Sequence, residues 1–191
     1  MTDIERALSI DKALEIAVHA HAGKVDLAGV PYILHPLRLA TKFADSDLKT
    51  IVALLHDVVE DTFATEVQVT VADLKREFDS TVAIAVDHLT RGRIGMVPFD
   101  SVAYDHDELY LDEYIPRVAM NPLAIEIKLA DLADNMDVGR LPKLADNSIT
   151  RLKRYHRAKL FLEKKQEEHR EFSLDMRIKG LNASLREKGN V

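Results

Sequence analysis

The 191-residue chain has no cysteine and no tryptophan. The first absence excludes disulfides, thiolate metal sites and thiol nucleophiles together, so any metal must be held by nitrogen and oxygen. Glycine and proline are scarce, at 7 and 6 residues, which leaves few breakers and favours long helices over a turn-rich β architecture. No run approaches the ~20 apolar residues that span a bilayer. The opening MTDIERALSIDKALEIA also lacks the basic start and apolar stretch of a signal peptide. A cytoplasmic protein with no membrane partner is the expectation.

What is present is ordinary for a soluble globular chain: 47% hydrophobic and 30% charged residues, with length enough for one sizeable core. The net charge of −6 hides a split. Residues 151–191 carry 12 Lys and Arg against 6 Asp and Glu, while residues 1–150 carry 14 against 26. An acidic body argues against nucleic acid as a partner. The basic tail either faces an anionic ligand or is a solvated helix surface.

Helical periodicity runs through most of the chain. IERALSIDKALEIAVHAHA has one broad apolar face and stops at Gly23. His35-Pro36 opens a second helix, with Pro36 suited to its first position. Asp45, Ser46 and Asp47 offer a cap for LKTIVALLHDVVEDT, read as one helix, and Thr70 caps TVADLKREF. DSTVAIAVDHLTR follows. GRIGMVPFDSVAYDHDEL is the longest expected loop. LYLDEYIPRVAM and PLAIEIKLADLADNMD divide near Asn121-Pro122, and residues 146–187 read as one or two charged helices. With no alternating strand pattern, the expected fold is all-α, a compact bundle of eight to ten helices. It is read as a single domain over 1–191, with a core at about 10–165 and a helical extension at 166–191.

Chemistry concentrates in three places. In LLHDVVED, His56 and Asp57 interrupt an apolar helix, and Glu60 and Asp61 follow within one turn. Buried charges cost several kcal/mol each unless paired or bound to a cation. A wet helix C-terminus is the alternative, but the negative end of the helix dipole disfavours three acids there. In KLADLADNMD, Asp131 shares a face with Lys128 and Asn135, which could offer a charge to phosphate and a hydrogen bond to a sugar; a plain Lys128–Asp131 surface pair is the simpler alternative. In PYILHP, His35 precedes a proline at a helix start. Two imidazoles and two carboxylates from these segments make a neutral set around a dication. That set suits Mn²⁺, with Fe²⁺ or Mg²⁺ as alternatives, better than a closed tetrahedral Zn²⁺ site.

HAGKVDLAGVPYILHP, LLHDVVEDT and KLADLADNMD together resemble the HD-domain hydrolase of RelA/SpoT-type proteins, the single-domain small alarmone hydrolases among them. The resemblance runs from about residue 13 to about residue 160. It implies an HD-type helical domain with metal ligands His35, His56, Asp57 and Asp131. It also implies a water-activating acid pair, Glu60 and Asp61, and a ribose-facing Asn135. An Arg and a Tyr that contact the nucleotide fall on Arg151 and Tyr155. The implied reaction is hydrolysis of the 3′-pyrophosphate of a purine nucleotide, (p)ppGpp or (p)ppApp, releasing pyrophosphate.

One departure bears on the base. Where the family usually places Arg-Lys-Ser before the Gly of GxPY, this chain has Asp26, Leu27 and Ala28. Asp26 could accept from an exocyclic amino group, which adenine and guanine both carry. Lys24, Lys128, Arg91 and Arg93 are the candidates to offset phosphate charge. Competing readings are another HD phosphohydrolase, such as a nucleotidase or NADPH phosphatase, and a catalytically silent nucleotide-binding regulator. A homodimer and a toxin partner are compatible with the chain and specified by nothing in it. Because the chain closes soon after residue 180, synthesis of an alarmone is not expected.

Overall fold

In the computed structural model, residues 3–63, 65–91, 109–141, 143 and 146–188 are described. They form nine α-helices: α1 (Asp3–Ala20), α2 (Leu34–Thr41), α3 (Asp47–Leu55), α4 (Val58–Asp61), α5 (Val71–Glu77), α6 (Ser80–Leu89), α7 (Ile115–Val118), α8 (Pro122–Asn135) and α9 (Asp146–Lys188). There is no strand among the described residues, only an isolated antiparallel bridge between Val25 and Pro31. The all-α expectation holds. The expected long loop lies almost wholly outside the described residues, Arg93 with it.

Local chemistry sets most boundaries. Gly23, at φ 75°, follows α1 in the left-handed region that lets a helix end without a Cβ clash. Thr70 and Asp73 form a reciprocal capping box at α5, and Asp79 and Asn121 each accept two backbone N–H groups at the starts of α6 and α8. Proline acts differently than expected at α2. Leu34 is its first residue and Pro36 its third, still within the first turn, where a missing N–H costs nothing. Before α7 the chain makes a six-residue π-helix, Leu109–Tyr114. Pro116 cannot donate to the carbonyl four residues back and crowds it, which accounts for the widened turn.

The stretch 48–62, expected as one helix, is broken where its chemistry lies. α3 ends at Leu55, His56 and Asp57 form a turn, and α4 restarts at Val58. Asp57 sits at φ −106°, ψ −6°, the sparsely used bridge region in which site residues are often found. Glu60 and Asp61 are thereby in the first turn of a new helix, where acids are favourable, not in the last turn of an old one.

α3 is the centre of the molecule: Val52, Ala53 and Leu55 are fully buried. α1, α2, α6 and α8 pack around it. α9 seats Ala158 and Leu162 in the same core and then runs on, every described residue from 171 to 180 being exposed. Among the described residues, no helix is long and apolar enough to cross a membrane.

Candidate functional site

The broken helix, the start of α2 and the last turns of α8 bring their polar side chains to one buried point. His35 and His56, 4% and 1% exposed, face each other with Nε2 atoms 3.2 Å apart. His56 Nε2 lies 2.9 Å from Asp57 Oδ2, and His35 Nε2 lies 3.1 Å from Asp131 Oδ1. The cross distances, His35 to Asp57 and His56 to Asp131, are 3.8 and 4.0 Å. One ligand atom each from His35, His56 and Asp57 falls within 4.8 Å of the others, a spacing that could hold a metal ion.

The tautomers are set from behind. His35 Nδ1 donates to Asp134 Oδ2 at 2.8 Å, and His56 Nδ1 donates to the Ala53 carbonyl at 2.8 Å, since neither oxygen can donate. In neutral rings both Nε2 lone pairs then point inward, beside two carboxylates. Converging acceptors of this kind repel one another unless a cation or protons lie between them, so the donor set fits a divalent ion. Without one, protons serve. Burial alone would lower the His35 imidazole, but hydrogen bonds to Asp131 and Asp134 and the Asp57 charge raise it to about 9. Asp57 and Asp131, which burial would push up, are held well below the usual carboxylate range by His56 and Lys128 respectively, with His35 assisting both.

The surrounding groups hold these in place. The Tyr32 hydroxyl donates to Asp57 Oδ2 at 2.6 Å. Lys128, only 8% exposed, donates to Asp131 Oδ2 at 2.6 Å and lies over the rings of Tyr114 and Tyr110. It is thus a buried partner of Asp131 rather than half of a surface pair. The Asn135 amide donates to Asp131 Oδ1. Arg38 grips both oxygens of Asp134 at 2.8 and 2.9 Å. Glu60 is engaged by Arg91, whose Nε donates to Oε1 at 2.7 Å and whose backbone N–H donates to Oε2 at 3.1 Å. Asp61 is paired with His21, 3.0 Å away, and Lys24, 3.4 Å away.

A cleft of about 230 Å³ opens beside this point, lined among others by Asp26, Tyr32, Asn135, Arg140 and Arg151. Both oxygens of Asp26 are engaged. Its Oδ1 accepts from the backbone N–H groups of Ala28 and Val30 at 2.8 and 3.1 Å, and its Oδ2 pairs with Arg140 at 2.5 Å. Burial would raise its carboxyl, yet those N–H groups and the guanidinium hold it below the usual range. Arg140 also donates to Asp134 Oδ2 at 2.6 Å. The Asp26 carboxylate therefore holds a cation, from 114 residues away, against the same cleft. Tyr155 instead packs on the core, 6.0 Å from the Tyr110 ring.

Sequence reasoning missed Tyr32, His21, Asp134 and Arg140. Tyr32 and Asp134 stand inside the quoted motifs, three positions from His35 and Asp131, and that one-turn spacing was the available signal. Arg140 carried none, because only the folded chain brings it to Asp26.

No family model matches the chain. Over 145 residues, 70% of its length, it is 35% identical to a guanosine-3′,5′-bis(diphosphate) 3′-pyrophosphohydrolase of Aquifex aeolicus. It is 34% identical over 137 residues to a GTP pyrophosphokinase of Streptomyces coelicolor. Over a shorter stretch of 86 residues it is 40% identical to a guanosine-3′,5′-bis(diphosphate) 3′-pyrophosphohydrolase of Borreliella burgdorferi. The matches span 19%, 15% and 12% of those proteins, so the chain corresponds to less than a fifth of each.

Proposed function

Because this chain belongs to the RelA/SpoT-type family over the segment it shares with these relatives, we propose that it is an HD-type metal-dependent 3′-pyrophosphohydrolase of purine nucleotide alarmones, (p)ppGpp or (p)ppApp. The relatives' names divide between pyrophosphokinase and pyrophosphohydrolase, and each name belongs to a protein several times longer. The observation that supports hydrolysis is the convergence of His35, His56, Asp57 and Asp131 on one buried point. Cation-binding acceptors with the acids Glu60 and Asp61 close by, each held by a basic partner, serve water attack on a phosphoester.

His35, His56, Asp57 and Asp131 would hold the ion, Mn²⁺ in first place, with Fe²⁺ and Mg²⁺ as alternatives. The chemistry it would supply there is acidification of water and polarisation of a phosphoryl oxygen. Asp134 and Tyr32 fix the orientation of His35 and Asp57. Asp61, with Glu60 beside it in α4, takes the proton of the attacking water. The water oxygen bonds to the phosphorus on the ribose 3′ oxygen, the P–O3′ bond breaks, and that oxygen keeps the electron pair and is protonated. A free 3′ hydroxyl and pyrophosphate result. Lys24 and Arg151 offset phosphate charge, and Asn135 faces the ribose. Asp26 presents Arg140 to the cleft.

Chromatography of the products tests the reading. With Mn²⁺, guanine and adenine 3′-pyrophosphate nucleotides should give pyrophosphate, while NADPH and a deoxynucleoside triphosphate should be inert. Orthophosphate from either of the latter, with both alarmones untouched, would replace this reading with another HD phosphohydrolase. Metal-dependent nucleotide binding without turnover would make the chain a regulator.

A further inference from the structure

We infer that His21 is a positioning residue for the hydrolytic water: its buried imidazole donates to the Asp61 carboxylate and sets the direction in which that acid faces the reaction. The inference rests on the function proposed above.

His21 stands one residue past α1, its backbone N–H still bonded to the Ala17 carbonyl. Its side chain is 0% exposed, whereas that of Asp61 is 24% exposed, so the acid reaches solvent and the imidazole does not. Nδ1 lies 3.0 Å from Asp61 Oδ2. A carboxylate only accepts, so Nδ1–H donates and a neutral ring keeps its bare lone pair on Nε2. Nε2 is buried without a hydrogen-bond partner among the described residues. An imidazole kept at this depth for packing alone is a poor choice, because a leucine would fill the space without a buried polar atom. Nor is it required for charge, because Lys24 already lies 3.4 Å from the same carboxylate oxygen.

What the imidazole adds is direction. Lys24 is a flexible ammonium, 36% exposed, whose other contact is the Asp61 backbone carbonyl. The His21 ring is locked against Tyr32, with centroids 4.9 Å apart, and Tyr32 in turn donates to Asp57. One packed His–Tyr pair thus engages two carboxylates: Asp57 in the break, and Asp61 one turn on in α4. If Asp61 must take a proton from water, its angle is fixed by the same ring stack that fixes Asp57.

Two amides separate this role from simple packing. The side-chain nitrogen of Asn reproduces the Nδ1 donor of histidine, and that of Gln reproduces Nε2. With saturating Mn²⁺ and a guanine 3′-pyrophosphate nucleotide, His21→Gln should lower kcat by about 10- to 100-fold, the usual cost of losing an orienting partner. His21→Asn should stay within about fivefold of wild type. KM and Mn²⁺ affinity should change by no more than about twofold in either, and the Asn–Gln difference should vanish in an Asp61→Ala background. Equal kcat values for the two amides in an active enzyme would overturn the inference alone. A wild-type chain that releases no pyrophosphate would remove the reading beneath it.

Discussion

Replacing Asp57 with alanine is expected to lower Mn²⁺-dependent pyrophosphate release by about a thousandfold or more while leaving the chain folded. Asp57 carries one of the two carboxylates that face the paired imidazoles, and its Oδ2 is 2.9 Å from His56 Nε2. The polarisation supplied by a bound ion amounts to several kcal/mol of transition-state stabilisation, and about 4 kcal/mol corresponds to a factor of a thousand. The fold should tolerate the loss. A buried negative charge disappears with the carboxylate, and Tyr32, which forfeits its acceptor, borders the open cleft where water can replace it. Circular dichroism together with steady-state kinetics checks both halves. Activity within tenfold of wild type in a folded variant would show that the chemistry does not depend on this carboxylate.

The second large effect is on stability and is metal-dependent. Lys128 and Asp131 have side chains 10% and 4% exposed, 2.6 Å apart. Burial would lower the ammonium's pKa, but the Asp131 charge, with Tyr110 and Tyr114 at hand, holds it well above its ordinary value. Lys128→Met removes one member of a buried pair and strands the other, which typically costs about 3–5 kcal/mol. In a chain of this size that is a fall of about 10 °C in Tm. The full loss should be seen in chelator. With Mn²⁺ present much of it should be recovered, because the dication takes over the neutralisation of Asp131. Thermal unfolding of wild type and variant, each with and without metal, measures the difference. An equal loss in both conditions would mean that Asp131 does not face the ion.

The fold was legible in the sequence because its determinants are local. The capping box at Thr70, Asn121-Pro122 before α8 and Gly23 after α1 are each read within a few residues of the boundary they set. The break at His56-Asp57 was not legible. Neither residue is a helix breaker, and the partner that Asp57 meets at the turn, Tyr32, lies 25 residues away and reaches it only in the folded chain. The π-helix is not legible for a different reason: a helix can answer a proline such as Pro116 by ending, kinking or widening.

At the site, the motifs brought the chemistry-bearing types into view, while the partners that hold them are long-range. Asp134 reaches His35 across 99 residues, and His21 reaches Asp61 across 40. Asp26 illustrates how a substitution misleads when read alone. As a letter it puts a negative charge in the loop before GxPY; in the fold it pairs with Arg140, so a cation lines the same cleft. Glu60 is the converse case, an acid that looked free and is held by Arg91.

The central claim, that His35, His56, Asp57 and Asp131 hold a divalent ion, is tested most directly by titrating Mn²⁺ into metal-stripped protein by calorimetry at several pH values. Binding needs a neutral His35 Nε2, and in the metal-free chain that imidazole keeps its proton up to about pH 9. One ion per chain should therefore bind with proton release, more tightly at pH 8 than at pH 6, and not at all in Asp57→Ala. Binding that ignores pH, or that survives in Asp57→Ala with unchanged stoichiometry and affinity, would place the ion elsewhere and contradict the account.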